Sequence, residues 1–102
     1  MALASYCATT VANTQATLFT VASGHEALVI SIELYGGTNG GKVTFVRNNG
    51  SSDVFTFAVP VPAGTYTMLE CKGAYPAGWL LKATGDAAGI QICVNADVVA
   101  TA

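Results

Sequence analysis

The sequence predicts an all-β domain: an antiparallel β-sandwich, jelly-roll-like, with seven to eight short strands and no substantial helix. Three observations lead to this fold class. Apolar side chains alternate with polar ones, the alternating segments are rich in Thr, Val, Ile and aromatic residues, and turn residues separate them about every ten residues. The chain has 102 residues, which suits one domain over residues 1–102.

The alternation places the predicted strands. In residues 27–35, Leu28, Ile30, Ile32 and Leu34 are expected to share one face of a half-buried strand. The other segments that alternate in this way are residues 42–47, 54–61, 66–72, 79–84 and 90–99. With a short strand that begins at Thr17 we count seven strands in all, and residues 6–12 offer an optional eighth.

Turn residues separate these strands. Asn49-Gly50 is a strong hairpin signal, because both residues accept positive φ. The glycine-rich residues 36–41 are expected to form a second hairpin loop. Pro60 lies near the end of its segment, which favours an edge strand. Residues 1–5 and 99–102 are uncharged and are expected to form short terminal arms.

Charged side chains are scarce. They make up 10% of the residues, against about 25% in an ordinary soluble domain. Two interpretations stay open. A compact β domain with a Thr-rich face needs few charges, and a surface covered by neighbouring subunits also lacks them, because charged residues are depleted in the centres of interfaces.

The distribution of charge and of cysteine limits the partners and the location. The net charge is −2 and the four basic residues are dispersed, so we expect no direct nucleic-acid binding. No secretory signal is evident, and no apolar run is long enough for a bilayer, so we expect no membrane association and synthesis in the cytoplasm. Cys7, Cys71 and Cys93 are then expected to be reduced thiols, with a Cys71–Cys93 bridge as the alternative.

No residue pattern predicts catalysis, and we expect a protein that is not an enzyme and has neither cofactor nor metal. His25 is the single histidine and is interpreted as a solvated turn residue. Residues 36–42 match the glycine-and-lysine part of a phosphate-binding loop. Val43 nevertheless stands where Mg²⁺ binding needs Ser or Thr, and a strand follows where a helix is required.

Four aromatic residues are the candidate interface residues, namely Tyr35, Tyr66, Tyr75 and Trp79. Aromatic side chains supply large contact areas and often anchor protein interfaces. Packing in the core and a flat sugar-binding platform are the alternative roles for the same side chains.

The order of strands and turns resembles a group of small β-sandwich virion proteins of tailed bacteriophages, of the capsid decoration or cement type. The matching segments cover most of the chain and read TLFTVASGHEA (17–27), LVISI (28–32), VPVPAGT (59–65), YPAGWLLKA (75–83) and AGIQICV (88–94). Ala22 and Ser23 depart from that group, which often has Pro-Ala at this turn.

This resemblance implies a structural virion protein that binds the major capsid protein or other virion proteins and stabilises the shell. It implies a place on the capsid surface of the virion after synthesis in the host cytoplasm. A homo-oligomer is expected, with a trimer as one form. A neck, tail or fibre component and a carbohydrate- or receptor-binding module are the alternative functions. The family carries no catalytic residues, so none are transferred.

Overall fold

The computed structural model describes residues 2–70 and 72–101, and within these ranges the chain forms nine strands and no helix. The strands are β1 (Ala2–Thr9), β2 (Gln15–Thr20), β3 (His25–Tyr35), β4 (Gly41–Asn48), β5 (Asp53–Val61), β6 (Tyr66–Leu69), β7 (Gly73–Tyr75), β8 (Leu80–Gly85) and β9 (Gln91–Ala100). No helix in this part of the chain is long and apolar enough to cross a membrane.

The strands form two antiparallel sheets. One sheet has the order β1-β9-β3-β6, with β7 also paired to β3, and the other has the order β2-β8-β4-β5. Only β4 and β5 are joined as a hairpin, and most other connections pass from one sheet to the other. Because β6 and β7 both pair with the same side of β3, each sheet is four strands wide. Two four-stranded sheets in this strand order form a jelly roll. The predicted fold class is confirmed.

The core lies between the sheets and is made of apolar side chains from both. Its largest fully buried members are Phe45, Ile32, Leu34, Leu81, Ile90, Ile92, Val43, Val61 and Val94. The alternation of Ile90 to Val98 predicted the inward face of β9 correctly. The edge position predicted from Pro60 is also correct, because β5 ends its sheet.

The ends of the chain differ from the predicted arms. Residues 2–5 belong to β1 and pair with β9, from Ala2 opposite Val98 to Ser5 opposite Asn95. Residues 99 and 100 extend β9 and pair with β3, and the Thr101 amide donates to the Gly24 carbonyl. Met1 and Ala102 lie outside the described residues. Backbone pairing, which composition does not reveal, therefore holds these uncharged segments on the sheet.

A β-bulge in β3 reverses part of the predicted burial pattern. Val29 lies opposite Ala96 and Ser31 opposite Asn95, so Ile30 is the extra residue. Ile32 and Leu34 point into the core as predicted. Leu28 and Ile30 point outward instead, because one inserted residue switches every preceding side chain to the other face.

Two further predicted elements differ in their connections. The strand predicted over residues 66–72 ends at Leu69 as β6, a separate short strand, β7, begins at Gly73, and Cys71 between them lies outside the described residues. The glycine-rich loop at residues 36–41 passes from β3 in one sheet to β4 in the other, so it is not a hairpin. A Cβ atom on Gly36 would lie 2.0 Å from the Pro62 carbonyl oxygen, so glycine is required there for close packing.

The predicted Asn-Gly hairpin is correct. Gly50 has a φ of 98° at the tip between β4 and β5, and the Asn49 amide donates to the Ser52 carbonyl at 3.1 Å. The Asn48 side chain accepts a bond from the Gly50 amide and donates to the Asp53 carboxylate at 2.8 Å. Side-chain bonds of this kind stabilise the tight turn.

Candidate interaction surface

The four candidate aromatic residues separate into two pairs. Tyr75 is buried and Trp79 is half-buried against the core, so these two do not form the exposed platform that a sugar would need. Tyr35 and Tyr66 are exposed, at 42% and 58%, and pair directly with each other across β3 and β6. Only this second pair is placed for contact with a partner.

Arg47 explains why Tyr75 and Trp79 are internal. Its guanidinium lies 4.3 Å from the Tyr75 ring centre and 5.2 Å from that of Trp79, and it donates to the Ala74 carbonyl. Tyr75 also packs edge-on against Phe19 at 5.2 Å. A cation between two aromatic rings joins β4 of one sheet to β7 of the other.

A disulfide between Cys7 and Cys93 joins β1 to β9. The two residues are 86 positions apart in the sequence and lie directly opposite each other in the β1–β9 register. The expectation of reduced thiols is therefore wrong for both. The alternative pairing of Cys71 with Cys93 is also wrong, since Cys93 is already bonded. Pairing of the first and last strands, which no local spacing signals, brings the two cysteines together.

The disulfide lies on the outward side of its sheet, a surface that we call the disulfide face. Its polar centre is a hydrogen-bond network across β1, β9, β3 and β6. Ser5 donates to the Asn95 side chain at 2.7 Å, and Asn95 donates to Ser31 and Glu33, each at 3.1 Å. The Tyr66 hydroxyl donates to the other Glu33 oxygen at 2.6 Å. The network fixes neighbouring strands in register.

Exposed apolar side chains surround this polar centre. On β1, β3 and β6 they are Leu3 at 76%, Leu28 at 39%, Ile30 at 42%, Tyr35 at 42%, Tyr66 at 58% and Met68 at 54%. Sequence reasoning missed Leu28 and Ile30 because it assigned them to the core, and only the bulge turns them outward. Large exposed apolar side chains grouped on one face of a protein mark a surface that another protein can cover.

The hydrogen bonds of Glu33 shift two pKa values. The bond from Tyr66, and then that from Asn95, hold the pKa of the Glu33 carboxyl below its ordinary value of 4.5. The same Tyr66–Glu33 bond raises the pKa of the Tyr66 hydroxyl above its ordinary value of 10.0, because ionised tyrosine cannot donate to a carboxylate. The pair is therefore most stable with Glu33 ionised and Tyr66 neutral.

This pair makes unfolding depend on pH. Because the pKa of Glu33 is lower in the folded chain, its contribution to stability is present above pH 4.5 and is lost as the pH falls through the folded pKa. The Tyr66 contribution is present below pH 10.0 and is lost as the pH rises through its folded pKa. We expect the free energy of unfolding, measured in urea, to fall less between pH 6 and pH 2 in Glu33→Gln than in the wild type. The fall in Tyr66→Phe should lie between these two, because that variant keeps the bond from Asn95 to Glu33. The same fall in all three proteins would contradict this assignment.

The residues considered for catalysis or ligand binding remain apart. His25 begins β3 rather than lying free in a turn, and its Nδ1 donates to the Ser23 carbonyl at 3.1 Å. Lys42 lies on β4, where its backbone amide donates to the Asp86 carboxylate at 2.7 Å. Among the described residues, no three His, Cys, Asp or Glu side chains cluster as metal ligands.

Comparison with known proteins gives a match at the level of the fold. No family model and no curated protein matches the sequence. A similar solved structure comes from Bacillus endospore appendages, described as a novel family of disulfide-linked pili. The TM-score is 0.56 at 19% identity, and the match covers 99% of this chain and 88% of that one.

This neighbour corrects the expected function. A phage capsid decoration protein is the wrong assignment, because the matching structure belongs to a bacterial pilus rather than to a capsid. The alternative functions, a neck, tail or fibre component and a carbohydrate-binding module, are corrected together with the capsid assignment. This chain shares its fold with the neighbour, and a major capsid protein as partner has no support. The phage resemblance and the virion location stay predictions from sequence.

Proposed function

We propose that this protein is a structural subunit without enzymatic activity, and that copies of it assemble into an extracellular fibre by pairing the open edges of their sheets. The observation that carries the proposal is the composition of those edges. Of the edge strands β1, β2, β5 and β6, only β5 contains a charged residue or a proline. Soluble proteins normally protect edges with these residues, because an unprotected edge pairs with another chain.

The side chains beside these edges support the same assembly. On β1 and β6, Leu3, Tyr66 and Met68 are each more than half exposed, and on β5 so are Val54 and Phe55. Pairing of edges would bring these side chains against a second copy and remove them from water. The low charge of the whole chain has the same consequence, since few charges would be left unpaired in a contact between copies.

The disulfide supports an oxidising location. Disulfides persist outside the reducing cytosol, so the Cys7–Cys93 bond suits a protein that functions outside the cell. The neighbour with the same fold belongs to a family of disulfide-linked pili. Three cysteines cannot all pair within one chain, and an odd count suits a covalent link between chains.

Two triple variants with equal added charge test the proposal. The first places lysine on the charge-free edges, as Thr9→Lys on β1, Thr17→Lys on β2 and Met68→Lys on β6. The control triple is Thr44→Lys on β4, Ala88→Lys in the loop before β9 and Gln91→Lys on β9, none of which lies on an open edge. We expect the edge triple to raise the concentration needed for assembly at least tenfold, because a lysine beside an open edge opposes pairing.

Negative-stain electron microscopy and light scattering of oxidised, full-length protein provide the readout. The wild type and the control triple are expected to form fibres at the same concentrations. Equal assembly of the edge triple and the control triple would refute assembly through the edges. A wild type that stays monomeric at every concentration would also refute it.

A further inference from the structure

The first strand contributes little to the core of the sandwich. From Leu3 to Thr9, no side chain of β1 is buried. The inward residues Ala4 and Ala8 are small, and the larger Tyr6 is half-buried, with its ring 5.2 Å from that of Phe19. Little apolar surface would therefore become exposed if β1 left the sheet.

The neighbouring strand β9, by contrast, belongs to the core. Its inward side chains Ile92, Val94 and Ala96 are at most 1% exposed. On its other side β9 pairs with β3 over almost its whole length. Removal of β1 would leave β9 in place and open its edge over eight residues, from Gln91 to Val98.

Besides the contact between the Tyr6 and Phe19 rings, three attachments hold β1 on that edge. The backbone ladder and the Ser5–Asn95 bond act along the strand, and the disulfide fixes Cys7 to Cys93. Cys7 is exposed, so a soluble reductant has access to the bond. The disulfide is the one attachment of the three that is covalent.

The chain just after β1 is anchored separately. The Thr10 hydroxyl donates to the Ala87 carbonyl at 2.7 Å and accepts from the Ile90 amide at 3.0 Å, and the Thr10 amide donates to the Ile90 carbonyl at 2.9 Å. The Gly89 amide donates to the Thr10 carbonyl at 3.0 Å. These bonds give β1 a fixed pivot at Thr10, so the strand can leave without unravelling β2.

We propose that the Cys7–Cys93 disulfide locks β1 in place, and that its reduction turns the edge of β9 into an acceptor for β1 of a second copy. In the reducing step a dithiol gives two electrons and two protons to the S–S bond. Two thiols form, at Cys7 and Cys93, and the dithiol closes to its own disulfide. This step goes beyond edge pairing, because it exchanges a strand that the sandwich already contains.

The occupant follows from the register. A second copy supplies the same segment, Ala2–Thr9, with the same side chains and backbone groups that already match Gln91 to Val98. Addition of a strand to an open sheet edge is a common mode of recognition, and exchange of identical elements is a low-cost route to association. An intact disulfide prevents this exchange at β9, because Cys7 cannot leave Cys93.

Amide hydrogen exchange tests the release of β1 in the full-length chain. After reduction with dithiothreitol, we expect the amides of β1 to exchange at least tenfold faster while those of β3 keep their protection. Equal protection of β1 before and after reduction would overturn the proposal. Loss of protection in β3 as well would also overturn it, because the sandwich would then be unfolding as a whole.

Two chains with one thiol each test the exchange between copies. One is Cys71→Ser with Cys93→Ser, which keeps Cys7, and the other is Cys71→Ser with Cys7→Ser, which keeps Cys93. When the two are mixed with oxidised glutathione, two thiols join and glutathione is reduced. We expect the Cys7–Cys93 heterodimer to exceed each homodimer at least tenfold on a non-reducing gel, whereas random collision gives about twofold.

A proline control separates exchange from other contacts. Tyr6→Pro in the chain that keeps Cys7 should remove the excess of heterodimer, because proline interrupts the ladder of a strand. An excess of heterodimer that survives the Tyr6→Pro change would refute strand exchange. A statistical ratio of products from the two chains that lack the proline would refute it as well. Single-thiol chains that fail to fold would refute it too. Neither readout requires fibres, so failure here is distinct from failure of the proposed function.

Discussion

Replacement of Cys7 and Cys93 by serine together is expected to lower the free energy of unfolding by about 4–5 kcal/mol, since loops near 100 residues gain about this much from closure. The bond closes a segment with a separation of 86 residues, so the unfolded chain loses much conformational freedom when it is present. Serine is close to cysteine in size, and Cys7 is exposed, so little packing is lost. Urea unfolding of the variant and of the oxidised wild type measures the difference.

The reduced wild type is the matched control for this variant. Dithiothreitol should lower the stability of the wild type to that of the serine variant and should leave the variant unchanged. Oxidised wild type and variant with the same urea midpoint would mean that the bond contributes no stability. A stable domain commonly has about 5–15 kcal/mol in reserve, so we expect the sandwich to remain folded without the bond.

Replacement of Phe45 by alanine is expected to cost about 3–5 kcal/mol, the usual range for a buried phenylalanine. Phe45 lies on β4, which is paired on both sides, and its side chain is fully buried. Its ring stacks on that of Phe57 with the centres 5.1 Å apart. The substitution removes this contact and leaves a cavity between the sheets, which thermal or urea unfolding will detect.

Phe55→Ala is the control for the Phe45 substitution. Phe55 is also a phenylalanine of the β4–β5 hairpin, but it is 58% exposed. We expect its loss to cost less than about 1 kcal/mol in the monomer, as for most surface substitutions. Similar costs at the two positions would contradict the assignment of Phe45 to the core and of Phe55 to the surface.

Local sequence patterns predicted the parts of the fold that depend on local chemistry. Alternation identified β4, β5, β8 and β9, because a strand with one buried face repeats every two residues. Asn49-Gly50 identified the hairpin, because few other residues accept the required φ. Pro60 identified an edge, because proline cannot donate to a neighbouring strand.

The parts that sequence reasoning missed depend on contacts between distant segments. The bulge at Ile30 arises from the pairing of β3 with β9, so it turned Leu28 outward without any local signal. The disulfide arises from the pairing of the first strand with the last. Tyr75 is buried because Arg47, on a different sheet, lies over its ring. Topology decided each of these points.

These features give the candidate surface its physical character. The disulfide face combines a fixed polar network with exposed apolar side chains, and it is bordered by β1 and β6, two edges that contain no charged residue. Pairing of the β1 and β6 edges would bring the exposed apolar side chains at the borders of this face against a second copy. We therefore interpret the scarcity of charge as a property of a subunit.

The central claim is that copies join through the edges of their sheets, and electron cryo-microscopy of the polymer formed by oxidised, full-length protein tests it most directly. We predict a fibre in which an edge strand of one subunit continues the sheet of the next through backbone hydrogen bonds. A protein that remains monomeric at every concentration, or a fibre whose subunits touch only through loops with all sheet edges open to water, would contradict the claim.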